Sequence, residues 1–154
     1  MVPTTRYKVS LRVSHPIVRA DEIVARVGFQ PRVVQSVGDR RTTPKGTPLE
    51  GTHRQTYVLF DLEEFEGVIG LEQMIKIATK DLVANAGPYV SDLAETGGKV
   101  TFSVGVFCDE NAGFEIDAGL IRSLAAANIG LIFFIYPQDE SSEAVDEAPE
   151  AATR

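Results

Sequence analysis

Residues Arg6 to Val13 alternate strictly along the chain. Tyr7, Val9, Leu11 and Val13 fall on one side, and Arg6, Lys8, Ser10 and Arg12 on the other. This period of two predicts a strand with one buried face, and His15-Pro16 breaks it. Ala20 to Val27 reads as a short helix. Asp21 and Glu22 suit its positive N-terminal end, Ile23, Val24 and Val27 form an apolar stripe, and Gly28 supplies a left-handed stop. Gln55 to Leu62 predicts a second strand, with Tyr57, Leu59 and Asp61 opposite Val58, Phe60 and Leu62. From Val68 to Ala86 the apolar positions Leu71, Met74, Ile75, Ala78, Leu82 and Ala86 recur at helical spacing. Gly87-Pro88 predicts an end or a kink there, with Pro88 opening a second helical segment to Glu95 and Gly97-Gly98 closing it.

Lys99 to Cys108 alternates once more, Val100, Phe102, Val104 and Val106 opposite Thr101, Ser103, Gly105 and Phe107. A turn over Asp109 to Gly113 precedes Asp117, placed as the N-cap of a helix that carries Leu120, Ile121 and Leu124 and ends near Asn128. Leu131 to Tyr136 is apolar at every position, the pattern of an inner strand covered on both faces. The least regular stretch is Gln30 to Arg54. Val33, Val34 and Val37 suit a short strand, and Gly38 to His53 holds three Gly, two Pro and four Thr, as a long loop would. The order β-α-β-α-β-α-β predicts an α+β fold, a ferredoxin-like two-layer sandwich with one mixed, mostly antiparallel sheet and helices on one face. The polar outer sides of the first and third of these strands argue for one covered face and one open face, and against a doubly wound sheet.

Composition refines this reading. With 154 residues, 44% apolar and 24% charged, the chain fits a single globular domain, expected over residues 5–137. The net charge of -7 is uneven. Residues 138–154 hold six acids against Arg154, a net of -5, and lack periodicity and aromatics, so a disordered acidic tail is expected there. The remaining 14 basic and 16 acidic side chains nearly cancel, which argues against nucleic acid as the partner. No apolar run approaches the ~20 residues of a membrane helix, so no membrane partner is expected. The opening residues have no apolar signal core. The single cysteine, Cys108, has no internal disulfide partner. Together these point to the cytoplasm.

Several chemistries come close and fail at named residues. Gly46 to Gly51 has the glycine spacing of a phosphate loop, but Thr52 and His53 follow in place of Lys and Ser/Thr, and a strand follows in place of a helix. Asp109 to Glu115 resembles the opening of a calcium loop, but Phe114 and Leu120 occupy the positions that need Gly and Glu. Cys108 sits at a strand end beside acids rather than beside a base, and His15 and His53 carry no protease signature. The adjacent pairs Glu63-Glu64 and Asp109-Glu110 read as solvated. No metal site, cofactor or catalytic residue is expected.

Two candidate sites remain. The first is the basic loop, where Arg40, Arg41, Lys45, His53 and Arg54 could bind a phosphate, a carboxylate or an acidic protein surface. The second is the open sheet face, with Lys8, Arg12, Thr101, Ser103 and Phe107 joined by one side of the last strand, either Ile132 with Phe134 or Leu131 with Phe133. Basic and aromatic groups on an open sheet can stack RNA bases, but a nearly neutral domain favours a protein partner or a homodimer.

Several segments resemble an uncharacterised bacterial family, the domain of unknown function 4279 group. They are the first strand and helix ending in Gly28-Phe-Gln-Pro31, the Gly-rich loop leading to the strand with Tyr57, and the closing runs Gly113 to Ala125 and Gly130 to Tyr136. Tyr57 stands where that family more often carries Trp. The resemblance implies a small bacterial α/β domain found alone. It implies no established activity and transfers no catalytic residue. The expectation is a non-enzymatic binding or interaction module, with a protein partner or itself. The alternative is a small-molecule anion binder or enzyme built on the 38–54 loop.

Overall fold

The computed structural model describes residues 5–66, 70–108 and 113–137. The expected turn at 109–113, the start of the expected 68–86 helix, the Glu63-Glu64 and Asp109-Glu110 side chains and the acidic tail lie wholly or partly outside the described residues. The chain forms β1 (Arg6–His15), α1 (Ala20–Val27), β2 (Pro31–Gln35), β3 (Arg40–Thr42), β4 (Pro48–Thr52), β5 (Thr56–Glu66), α2 (Leu71–Glu95), β6 (Lys99–Cys108), α3 (Ala118–Ala126) and β7 (Ile129–Pro137). Five strands form one sheet in the order β2-β5-β1-β6-β7, and β3 and β4 pair separately. The β6–β7 pair is parallel and every other pair is antiparallel. The domain is therefore α+β, with a mixed, mostly antiparallel sheet.

The strict alternation of β1 becomes a layered core. Phe60, Leu11, Phe102 and Leu131 stand side by side across β5, β1, β6 and β7, and Val58, Val13, Val100 and Ile129 form the next row. Ile23 and Val27 of α1, Ile75, Leu82 and Val90 of α2, and Leu120 and Leu124 of α3 join these rows in one apolar cluster. All three helices thus cover the face defined by Leu11. Asp117 caps α3 by accepting a hydrogen bond from Leu120 N–H at 2.8 Å, and Lys76 of α2 reaches the same carboxylate at 3.1 Å. These contacts, the backbone bond first, pull the Asp117 pKa down to about 2. The helix over 71–95 breaks its dihedrals at Ala86 (φ -150°, ψ 22°), two residues before Pro88, as the Gly87-Pro88 pair predicts. None of the described helices is long and apolar enough to cross a membrane.

Three expectations need correction. Between α1 and α2 the short strand expected near Val34 is present as β2, but two further strands, β3 and β4, precede β5, and β6 and β7 lie adjacent and parallel as a direct β-α-β unit. The simple alternation of strands and helices therefore does not describe residues 28–66. Further, β7 ends the sheet, paired only with β6 among the described strands. Its two-sided apolar pattern suits an inner strand, yet β1 is the central one and is polar on its outer side. The loop expected over 38–53 is largely a hairpin arm that extends the β2–β5 connection. Gly38 N–H donates to His53 O (2.9 Å), His53 N–H to Asp39 O (2.8 Å), and Thr43 N–H to Thr47 O (2.8 Å) at the tip. An Arg19–Asp39 ion pair at 3.1 Å ties its base to the start of α1.

Candidate functional site on the helix-free sheet face

Alternation places the other half of each strand on the face without helices. Register sets Arg12 beside Thr101 of β6 and Leu59 of β5, and sets Tyr57 one diagonal step away, opposite Ser14. Ser10 lies between Asp61 and Ser103. From β7 come Gly130, Ile132, Phe134 and Tyr136, opposite Thr101, Ser103, Gly105 and Phe107. Glycine at 105 and 130 leaves room for the large rings and the Thr101 side chain that border them.

The long side chains lie flat on this face. The Arg12 guanidinium sits 5.2 Å from the Phe134 ring centroid, and that of Arg6 sits 4.5 Å from the Phe107 centroid. Phe107 stacks on Tyr136 at 5.0 Å, and Phe134 follows at 6.4 Å from Tyr136. Guanidinium–ring contacts of this kind hold a cation over apolar surface. Beneath the layer, Ser10, Leu59, Thr101, Ser103 and Phe107 are buried although no helix covers them. Asp61 is engaged on both sides, by Arg32 Nε at 2.7 Å and Ser10 Oγ at 3.3 Å.

Three donors on this face are buried without an acceptor among the described residues: Arg12 Nε, Tyr57 Oη and Thr101 Oγ1. They come from three adjacent strands. Burial raises the Tyr57 pKa, and the positive charges of Arg12 and Arg32 partly oppose this. The phenol is therefore a neutral hydroxyl at physiological pH.

Of the residues expected on the open face, Lys8, Arg12, Thr101, Ser103 and Phe107 are there, joined by Phe134 of β7. Phe133 is not. It pairs with Val104 on the helix side, packs against the core and stacks on Phe114 at 5.1 Å. Of the two strand phases left open by the sequence, Ile132 with Phe134 is the outer one. Tyr57 and Asp61, which the sequence places on one side of β5 but does not assign to the site, and Arg32 complete the constellation. Arg32 sits at a register shift between Pro31 and Val33, so no period betrays its side.

The basic loop residues lie on the arm. Arg40 and Arg41 are consecutive in β3, so their side chains leave opposite faces of the hairpin. Lys45 lies in its turn, and His53 and Arg54 at its base. Arg40 Nε donates to Leu49 O at 3.4 Å. Among the described residues no hydrogen bond or ion pair joins these five side chains to one another.

His15 and Cys108 lie far apart. Cys108 ends β6 opposite the end that pairs with Ser14, about 30 Å along the strand at 3.4 Å per residue. Among the described residues, no three His, Cys, Asp or Glu side chains group so as to hold a metal ion. His15 is structural. Its Nδ1 accepts from Ile17 N–H and Val18 N–H, both at 3.0 Å, so its proton sits on Nε2, which donates to Thr96 Oγ1 at 2.9 Å. Thr96 Oγ1 in turn donates a hydrogen bond to Asp92 O at 2.7 Å. Burial lowers the His15 pKa, against a smaller opposing pull from Glu22. A histidine whose folded pKa is depressed leaves stability unaffected well above its ordinary value of about 6.5 and lowers it as pH falls below that value, because the unfolded chain binds the proton more readily. Urea unfolding from pH 7.5 to 5 should therefore show a loss of stability that His15→Asn, which keeps an acceptor in place of Nδ1, removes. Parallel pH profiles for the two proteins would contradict this.

No curated protein and no solved structure matches the chain. A family model does, over residues 5–138, and it spans β1 through β7, including the helix-free face and the arm. By that match the chain belongs to the family described as Domain of unknown function (DUF4279).

Proposed function

We propose that this domain is a non-enzymatic binding module that recognises a protein partner on the helix-free face of its sheet, seating an acidic side chain of that partner among Arg12, Tyr57 and Thr101. One observation carries the reading: Arg12 Nε, Tyr57 Oη and Thr101 Oγ1, on adjacent strands, are buried donors without an acceptor in the described chain. A buried donor left without an acceptor costs about 1–3 kcal/mol, and folded proteins satisfy nearly all of them. A carboxylate offers several lone pairs and complements the positive charge of Arg12. The rings of Phe107, Phe134 and Tyr136 alongside it offer stiff apolar contact area of the kind enriched at protein interfaces.

Reversing charge at the centre of the face tests this. Arg12→Glu should abolish cross-linked capture of the partner when the tagged protein is isolated from its own cells, while its unfolding midpoint stays near that of the parent. Truncating one partner of a desolvated charged pair costs on the order of 2–5 kcal/mol of binding. The alternative, a small-molecule anion bound by Arg40, Arg41, Lys45, His53 and Arg54, predicts the reverse dependence: Arg41→Glu would be the damaging change and Arg12→Glu harmless. Retention of single-stranded RNA at low salt would favour a nucleic-acid partner on the same face.

A further inference from the structure

The two ends of the sheet are built differently. β2 is five residues long, begins with proline, contains a register shift and carries Arg32, all devices that keep an edge from pairing with another chain. β7 has none of them. It runs nine residues in unbroken register with β6 and carries no charge, and its proline is the last residue. Its outer main-chain groups have no strand beside them among the described residues. Both of its faces are apolar, with Leu131, Phe133 and Ile135 toward the helix layer and Ile132, Phe134 and Tyr136 toward the other side. Ile135 is 57% exposed, and Ile121 of α3, at 53%, and Phe114, stacked on Phe133, extend the apolar surface in the helix layer.

We infer that a second copy of this chain pairs with β7, the two β7 strands running antiparallel about a two-fold axis and joining two five-stranded sheets into one. The reasons select a second copy rather than an arbitrary strand. Antiparallel pairing of a strand with itself is isologous, so every apolar position meets an apolar position and both rows of main-chain groups are used. Charge selects the orientation. The chain continues from Pro137 into residues 138–154, which carry a net charge of -5. Antiparallel strands place the two Pro137 ends about 30 Å apart, for nine residues at 3.4 Å each, well beyond the screening length of ~8 Å. Parallel pairing would place them side by side. The edge itself is uncharged on a chain of net -7, so two copies approach there without direct like-charge contact. The pairing makes the helix-free faces of the two protomers continuous and stands independently of the partner proposed for Arg12.

Sedimentation equilibrium of the full chain across micromolar concentrations tests it. The expected mass is twice 16.7 kDa, returning to the single mass in Ile135→Lys, whose native side chain is already more than half exposed. Amide exchange read on the same samples separates dissociation from misfolding. The outward β7 amides should exchange slowly in the parent and fast in the variant, with the β1 amides slow in both. If Ile135→Lys does not fold, Ile121→Lys on α3 is the second variant and should weaken the dimer at least tenfold. Ile17→Lys, at an exposed apolar residue between β1 and α1, should leave the dimer intact. A single mass for the parent at every concentration overturns the inference. So does a dimer that survives both edge variants, or one that Ile17→Lys dissociates equally. An Arg12→Glu protein that loses its partner but stays dimeric supports both proposals separately.

Discussion

Alanine in place of Phe102 is expected to lower the free energy of unfolding by about 3–5 kcal/mol, the usual cost of truncating a buried aromatic to alanine. Phe102 has no exposed surface and stands between Leu11 of β1 and Leu131 of β7 in the row that begins with Phe60. The neighbours cannot close the gap easily. Leu11 and Phe60 are fixed by main-chain pairing on either side, and the helices above are held by their own packing into the same cluster. Lost transfer energy and the residual cavity therefore add. Chemical denaturation of parent and variant checks the value. A loss under about 1 kcal/mol would mean that the β5-β1-β6-β7 register places Phe102 elsewhere than in the core.

Gly98→Ala should be comparably damaging for a different reason. A Cβ at position 98 would lie 2.6 Å from Leu93 O, 2.8 Å from Ser14 O and 2.7 Å from His15 Cδ2. Two of these atoms are backbone and the third belongs to a ring held at both nitrogens. Gly98 N–H also donates to Leu93 O at 2.8 Å, and Gly97, at φ 102°, makes the left-handed step that closes α2. Overpacking costs about 1–3 kcal/mol where side chains can yield. Here either the α2 end or the β1 terminus must move, so the upper end of that range or beyond is expected, with loss of the His15–Thr96 hydrogen bond visible in the imidazole resonances. Parental stability in the Gly98→Ala protein would contradict the close approach.

Periodicity carried the fold a long way because each of its signals rests on local geometry. The alternation of β1, β5 and β6, the helical spacing of α2, the Asp117 cap and the Gly28 stop are each decided within a few residues, and each appears where the sequence places it. What was not legible depends on contacts far apart in sequence. An all-apolar β7 can be an inner strand or a bare edge, and only its pairing decides. The phase that puts Phe134 rather than Phe133 outward depends on register with β6. The arm at 38–53 was hidden by its glycines, prolines and exposed polar residues, since no buried face marks β3 or β4. The site shows the same division. Lys8, Arg12 and Phe107 follow from alternation alone, while Arg32 is displaced by a bulge. The significance of Tyr57 and Thr101 lies in a shared want of acceptors that no single strand reveals.

The central claim is that the helix-free face is where the partner binds. Site-specific photo-cross-linking in the producing cells tests it most directly, with a photoreactive phenylalanine analogue placed at Phe134 on that face or at Ile77, an exposed apolar position of α2. A partner adduct at position 134 that disappears on adding Arg12→Glu, with none at position 77, is the predicted result. An adduct at position 77 and none at position 134 would contradict it.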